Sequence, residues 1–195
     1  MNNKILLIID PQYDFINGSL AVDGAENAMK KLSIFIHNYG TEYDKIVLTT
    51  DWHPYTHCSF KNNGGIWNPH CIQFTKGAAI YQPIIDSLEE IKADYTILTK
   101  GTNEDREEYS VFKNAKSCVK FINICNTLNI KEIDVCGIAF DYCLKDSVKD
   151  GLRYLDSVKF NVLKEFSPSI GEDSEKEFID FINNCERINL EKWHE

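Results

Sequence analysis

The chain has 195 residues, 43% hydrophobic and 26% charged, enough to bury a sizeable core without disulfide or metal staples. Its formal net charge of −9, with no local run of Lys and Arg, argues against a phosphate-backbone partner, because nucleic-acid binding needs a basic face. No stretch approaches the ~20 apolar residues of a membrane span, so neither nucleic acid nor membrane is expected as a partner.

Short apolar runs alternate with amphipathic patterns along the whole chain. Residues 5–9 read as a buried strand, and 25–39 as a helix with Leu32, Phe35 and Ile36 on one face and Gly40 as its stop. A second strand is predicted over 45–50, a helix over 84–91 and a third strand over 95–99. A helix over 117–128, a fourth strand over 132–136 and a helix over 140–155 follow. A fifth strand over 158–163 and a helix over 172–184 complete the pattern. Such alternation predicts an α/β fold, a three-layer α/β/α arrangement around a mostly parallel sheet of about five or six strands. No repeat, low-complexity tract or linker interrupts it, so one domain over residues 1–195 is expected. Two stretches resist the pattern, 51–81 and 101–115, and long irregular loops in such folds are usually functional.

Seven cysteines are spread through the chain, an odd number. Met1 leads through Asn2, Asn3 and Lys4 into an apolar run of only five residues, too short for a secretory signal. The cysteines therefore read as small buried hydrophobes in a reducing cytoplasm, the expected compartment.

In open parallel sheets ligands bind beyond the carboxyl ends of the strands. Asp10 follows the first predicted strand, Asp51, Trp52 and His53 the second, Lys100 the third, and the segment from Gly137 to Cys143 the fourth. Asp10 reads as a general base in a half-buried mouth, or as an ordinary strand-end cap. Asp51 and His53, two apart in extended chain, share a face and can address one ion. His70 would complete a carboxylate-plus-imidazole set and His57 could extend it, a donor set suited to Zn, Fe or Mn. His37, in a helix, and His194, in the tail, are expected to be inert. Lys100 at a strand end would lower the pKa of a neighbouring thiol. That thiol is Cys143, at a strand-to-helix turn whose free N–H groups can hold an oxyanion. Cys118, Cys125, Cys136 and Cys185 read as core, and so does Cys71. No dinucleotide fingerprint, P-loop, G-x-S-x-G elbow or paired C-x-x-C is present.

Five blocks in register resemble the nicotinamidase/pyrazinamidase branch of the isochorismatase-like cysteine hydrolases. They are Asp10-Pro11-Gln12-Tyr13-Asp14-Phe15 with Gly18-Ser19-Leu20; Asp51-Trp52-His53-Pro54 with His57-Cys58-Ser59-Phe60; Trp67-Asn68-Pro69-His70-Cys71; Lys100-Gly101-Thr102 with Tyr109-Ser110; and Gly137-Ile138-Ala139-Phe140-Asp141-Tyr142-Cys143. Asn68 stands where that family usually has proline. The resemblance implies a triad of Asp10, Lys100 and Cys143 and a divalent transition metal, zinc foremost, on Asp51, His53 and His70, with His57 in some members. It implies Phe15 and Trp67 flanking a pyridine ring, with Leu20 and Tyr109 beside them. It also implies an oxyanion hole from the N–H groups of Ala139 and Cys143, shaped by a cis Ile138–Ala139 peptide. The implied reaction is hydrolysis of nicotinamide, and of pyrazinamide, to the acid and ammonia. A sister amidase acting on a carbamoyl or ureido group, or a non-catalytic interaction domain on the same scaffold, are the alternatives. The small-molecule amide is the expected partner, and the sequence is compatible with a homo-oligomer.

Overall fold

The computed structural model describes residues 2–191 and Trp193; His194 lies outside them. Six strands, β1 (Lys4–Ile9), β2 (Lys45–Asp51), β3 (Tyr95–Lys100), β4 (Glu132–Gly137), β5 (Lys159–Leu163) and β6 (Ile188–Glu191), form one sheet in the order β3-β2-β1-β4-β5-β6. Every neighbouring pair is parallel. The helices are α1 (Tyr13–Ile16), α2 (Ala25–Tyr39), α3 (Gln82–Glu90), α4 (Ala115–Thr127), α5 (Lys145–Tyr154) and α6 (Glu172–Asn183).

The central strand shows why the sheet is covered twice. Successive residues of a strand point to opposite faces. In β1, Ile5, Leu7 and Ile9 join a core with Phe121, Val148 and Phe178 of α4, α5 and α6. Leu6 and Ile8 join a second core with Met29, Leu32 and Ile36 of α2 and Ile84 and Leu88 of α3. An unbroken apolar run is therefore what a strand buried on both sides requires. The expected three-layer α/β/α architecture is found, with all six strands parallel.

The short helix α1 has no counterpart in the sequence reading, and three further local features differ from it. The helix α2 does end at Tyr39, but Gly40 keeps a right-handed φ of −59° and leads into a 3₁₀ turn. Glycine leaves room there for the Ile91 side chain, whose Cδ1 would lie 2.4 Å from a Cβ. The helix expected over 140–155 is two pieces, a π-helical turn Phe140–Leu144 and then α5. The last strand, β6, has no counterpart in the prediction. It is four residues long, buries Ile188, and follows Arg187, whose guanidinium donates to the carbonyls of Leu152 and Leu155 at 2.6 and 2.8 Å. Among the described residues no helix is long and apolar enough to cross a membrane.

The strand order turns at the β1–β4 pair, where Ile9 lies opposite Gly137. Gly137 has a φ of +122°, and a Cβ on it would stand 2.1 Å from the Ile9 carbonyl oxygen, backbone that cannot swing aside. Gly137→Ala should therefore destabilise the protein by about 2 kcal/mol or more, combining a left-handed conformation with a main-chain clash. Urea unfolding measures this, and a loss below about 0.5 kcal/mol would contradict the close-approach argument.

Candidate active site

The β1–β4 switch point is where a doubly wound sheet opens a crevice at its carboxyl edge. Asp10, Asp51, Lys100 and Cys143 meet there although they are far apart in sequence. The β2–β3 register sets Asp51 opposite Lys100. Lys100 is fully buried, and its Nζ lies 2.5 Å from Asp51 Oδ1, 2.7 Å from Asp10 Oδ2 and 3.5 Å from Cys143 Sγ. Asp10 sits at a φ of +47°, and its Oδ1 accepts from the Thr49 hydroxyl at 2.7 Å. Its Oδ2 makes the Lys100 contact without a well-aligned hydrogen bond, and the carboxyl lies beside the thiol.

Burial raises the Asp10 carboxyl to about 6, even against the pull of the Lys100 ammonium. Burial acts the same way on Asp51, but there Lys100 and His53 outweigh it and hold the carboxyl well below the usual range. Burial disfavours the Lys100 ammonium too, yet Asp10 and Asp51 more than compensate and keep it charged. The Cys143 thiol departs from the expectation. Burial pushes it well above its ordinary range; Lys100 lowers it, but Asp10 and Asp51 act with burial and the net shift is upward. The sulfur therefore holds its proton at rest, and a base must take that proton as attack begins.

Asp51 turns its other oxygen, Oδ2, toward two imidazoles, 3.5 Å from His53 Nε2 and 3.9 Å from His70 Nε2. One ligand atom from each of Asp51, His53 and His70 falls within 4.8 Å of the others. His53 Nδ1 is bonded to the Gly101 carbonyl at 2.9 Å and His70 Nδ1 to the Asn68 carbonyl at 2.7 Å. Each ring must donate from Nδ1, which leaves an Nε2 lone pair directed at the common point, the arrangement that a metal-binding histidine needs. These residues fit a divalent ion. His57 does not join them. Its Nε2 lies 3.1 Å from the Arg106 carbonyl and its Nδ1 2.7 Å from Ser59 Oγ, so both nitrogens are engaged by the protein. The ring lies against that of His53, tilted by 35° with centroids 4.0 Å apart, and burial beside His53 lowers its pKa to about 4. His37, on the exposed side of α2, pairs with Glu90.

Sequence reasoning missed two groups that serve this half of the site. Gln12, fully buried, accepts from the Asp51 N–H at 2.7 Å and donates to the Asp51 and Ala78 carbonyls at 2.8 Å. Its amide fixes the end of β2 from two sides. Glu107, in the irregular stretch 101–115, lines the crevice, where burial and the charge of Asp51 raise its carboxyl.

Phe15, Leu20, Trp67 and Tyr109 all line the same crevice as Asp51, His70, Ala139 and Cys143. Phe15 packs on His70 with centroids 5.3 Å apart, and Trp67 Nε1 donates to the Tyr109 hydroxyl at 2.9 Å. Tyr142 and Ile170 complete the wall. Tyr142 stood in a quoted motif without an assigned role, and Ile170 carries no sequence signal. Behind the sulfur the Ile138–Ala139 peptide is cis. The π-helical turn is closed by the Leu144 N–H on the Ala139 carbonyl at 3.2 Å. The Ala139 N–H has no acceptor among the described residues.

A family model, the isochorismatase domain, matches residues 4–153. A nicotinamidase of Acinetobacter baylyi is 30% identical over 175 residues, covering 78% of either chain. A nicotinamidase of Saccharomyces cerevisiae is 27% identical over 200 residues, 88% of this chain and 91% of the relative. The crystal structure of a pyrazinamidase of Pyrococcus horikoshii in complex with zinc matches with a TM-score of 0.82 at 26% identity, over 98% of this chain and 99% of that one.

The two classes of histidine separate under mutation. His53→Ala and Asp51→Ala should lose stoichiometric metal in elemental analysis of the purified protein. His57→Ala should retain it, with a weaker hold on the ion, roughly 10–100-fold in affinity, as for other groups that support a ligand. Complete loss of metal from His57→Ala would return that residue to the ligand set.

Proposed function

The chain belongs to the isochorismatase-domain family, and we propose from that premise that it is a nicotinamidase, a cysteine amidohydrolase releasing ammonia from nicotinamide. The observation that carries the reading is the meeting of a buried proton acceptor, Asp10, a protonated thiol, Cys143, and an ammonium, Lys100, beside an aromatic-walled crevice. An amide carbonyl placed over Cys143 receives the sulfur as Asp10 takes the thiol proton. The N–H groups of Ala139 and Cys143 receive the oxyanion. Asp10 then delivers its proton to the departing ammonia, leaving a thioester. Water, deprotonated in turn by Asp10, releases the acid, and the proton returns to the sulfur. Lys100 keeps one positive charge beside the two carboxylates through both halves. Phe15 and Trp67 hold the ring. Asp51, His53 and His70 would hold a divalent ion, which would supply a Lewis acid for the ring nitrogen in the crevice that Glu107 also lines. Zinc is the proposed ion, because the donor set suits it and the Pyrococcus horikoshii relative carries it. A cytoplasmic setting accords with seven free cysteines.

Cys143→Ala should abolish ammonia release while leaving the protein folded and metal-loaded, whereas Cys118→Ala and Cys125→Ala should keep it. Turnover near wild type in folded Cys143→Ala ends the covalent route. An amide panel tests the substrate. Nicotinamide and pyrazinamide carry a ring nitrogen at the right position and benzamide has none, so benzamide should be at least about a hundredfold poorer in kcat/KM, the equivalent of roughly 3 kcal/mol. Equal rates would remove the anchored-ring geometry, and preference for an N-carbamoyl amine would move the chain to the sister amidases.

The raised Asp10 carboxyl sets the pH dependence. It must be ionised to accept the thiol proton, so kcat/KM should fall as pH drops through about 6. Thr49→Val removes a hydroxyl that stabilises the carboxylate and should move this limb upward. A limb at ordinary carboxylate values in the wild type would contradict the raised Asp10 carboxyl, and a limb that Thr49→Val leaves in place would detach it from Asp10.

A further inference from the structure

We infer that Asp141 is the positioning residue of the oxyanion hole, fixing the nucleophile turn against the β5–α6 connection so that the Ala139 and Cys143 N–H groups keep their aim. The inference rests on the proposed role of Cys143 as nucleophile. Asp141 is fully buried two residues before that cysteine, and among the described residues it has no cationic partner. Its partners are three donors from one neighbouring segment. Oδ1 accepts from the Ile170 N–H at 3.0 Å, and Oδ2 from the Gly171 N–H at 2.9 Å and the Ser174 hydroxyl at 2.5 Å.

Gly171 precedes the first residue of α6, a helix of 12 residues without a side-chain cap of its own. The turn that carries the nucleophile is thus tied to the residue just before α6 and to the one preceding it, which sets the Asp141 carboxyl at the positive end of that helix. Neighbouring ties run along the same seam. Gly137 N–H donates to Ser167 Oγ at 3.3 Å, Phe140 N–H to the Pro168 carbonyl at 2.9 Å, and the Phe140 ring packs on Phe178 of α6 at 4.9 Å. Asp141 is the charged member of that series and the one nearest the sulfur in sequence.

Oxyanion stabilisation depends steeply on donor placement, and it acts on the transition state. In the proposed mechanism ground-state binding depends on Phe15, Trp67 and the Asp51–His53–His70 cluster, which come from other segments of the chain, α1 and the end of β2 with the loop after it. A shift of the turn should therefore lower kcat and spare KM. The chemistry also demands an acid. All three partners donate, so only an acceptor-only group satisfies them, and the NH₂ of an asparagine would face an N–H.

The test measures kcat and KM for nicotinamide in the metal-loaded wild type, Asp141→Asn, Ser174→Ala and Cys143→Ala. It also measures the dissociation constant of the aldehyde analogue of nicotinamide, which adds the thiol to its carbonyl and places the resulting oxygen in the hole. Asp141→Asn should lower kcat by about tenfold or more, keep KM within about twofold, and weaken the aldehyde in proportion to kcat. Ser174→Ala, which removes one of three donors, should shift kcat and aldehyde affinity together by a few-fold. A folded Asp141→Asn protein whose kcat and aldehyde affinity stay within about twofold of wild type overturns the inference, as does a rise confined to KM. If Asp141→Asn does not fold, Ser174→Ala decides, and unchanged kcat with unchanged aldehyde affinity overturns it. Cys143→Ala separates the premise: equal aldehyde affinity in that variant and the wild type would remove the nucleophile itself, and this inference with it.

Discussion

A lysine ammonium with no access to water organises this site. Lys100 ends an edge strand, yet its side chain is fully buried, and an isolated charge in that position would cost several kcal/mol in lost hydration. Two carboxylates from two other strand ends offset that cost, Asp10 from β1 and Asp51 from β2. Each acid in turn depends on the same ammonium. Asp51 stays ionised, with one oxygen on Lys100 and the other turned to His53 and His70. Asp10 is left with a raised proton affinity beside the sulfur. One buried charge thereby gives two aspartates opposite character, as the proposed ligand and the proposed base require.

That division is possible because the sheet is parallel and its order reverses once. Parallel strands bring all their carboxyl ends to one edge, and register fixes which ends are neighbours. Asp51 faces Lys100 because β2 and β3 pair in that register, and the Gly137 backbone can lie against Ile9 because it has no Cβ. The loops then fill what the strands leave open. Gln12 clamps the end of β2 from the β1 side, and the Trp67–Tyr109 hydrogen bond joins the two long irregular stretches across the crevice.

Much of this was legible in the sequence, for physical reasons that can be named. The run from Ile5 to Ile9 is apolar at every position, which only a strand covered on both faces can use. The chemistry-bearing residues follow apolar runs immediately, so strand ends and site residues were found together. What escaped notice has equally particular causes. β6 is four residues with Ile188 as its one fully covered side chain, too little pattern to separate from a tail. The π-helical turn keeps helix-like composition, and only its i to i+5 bonds distinguish it. His57 has the residue type and spacing of a ligand, and that its Nε2 is engaged depends on where the Arg106 carbonyl stands. Gln12 and Glu107 act through geometry alone. The thiol was expected to be acidified because Lys100 and a helix start are visible in sequence, whereas the depth of burial that overrides them is not.

That last point bears on how the protein survives its own reactivity. Oxidants and stray electrophiles attack thiolates, and they attack those that solvent can reach. Cys143 is 6% exposed and carries its proton more tightly than a free cysteine does. Both features lower the reactivity of a sulfur toward peroxide. In the proposed mechanism it becomes nucleophilic only when an electrophile fitted to the crevice lies over it and Asp10 is free to take the proton.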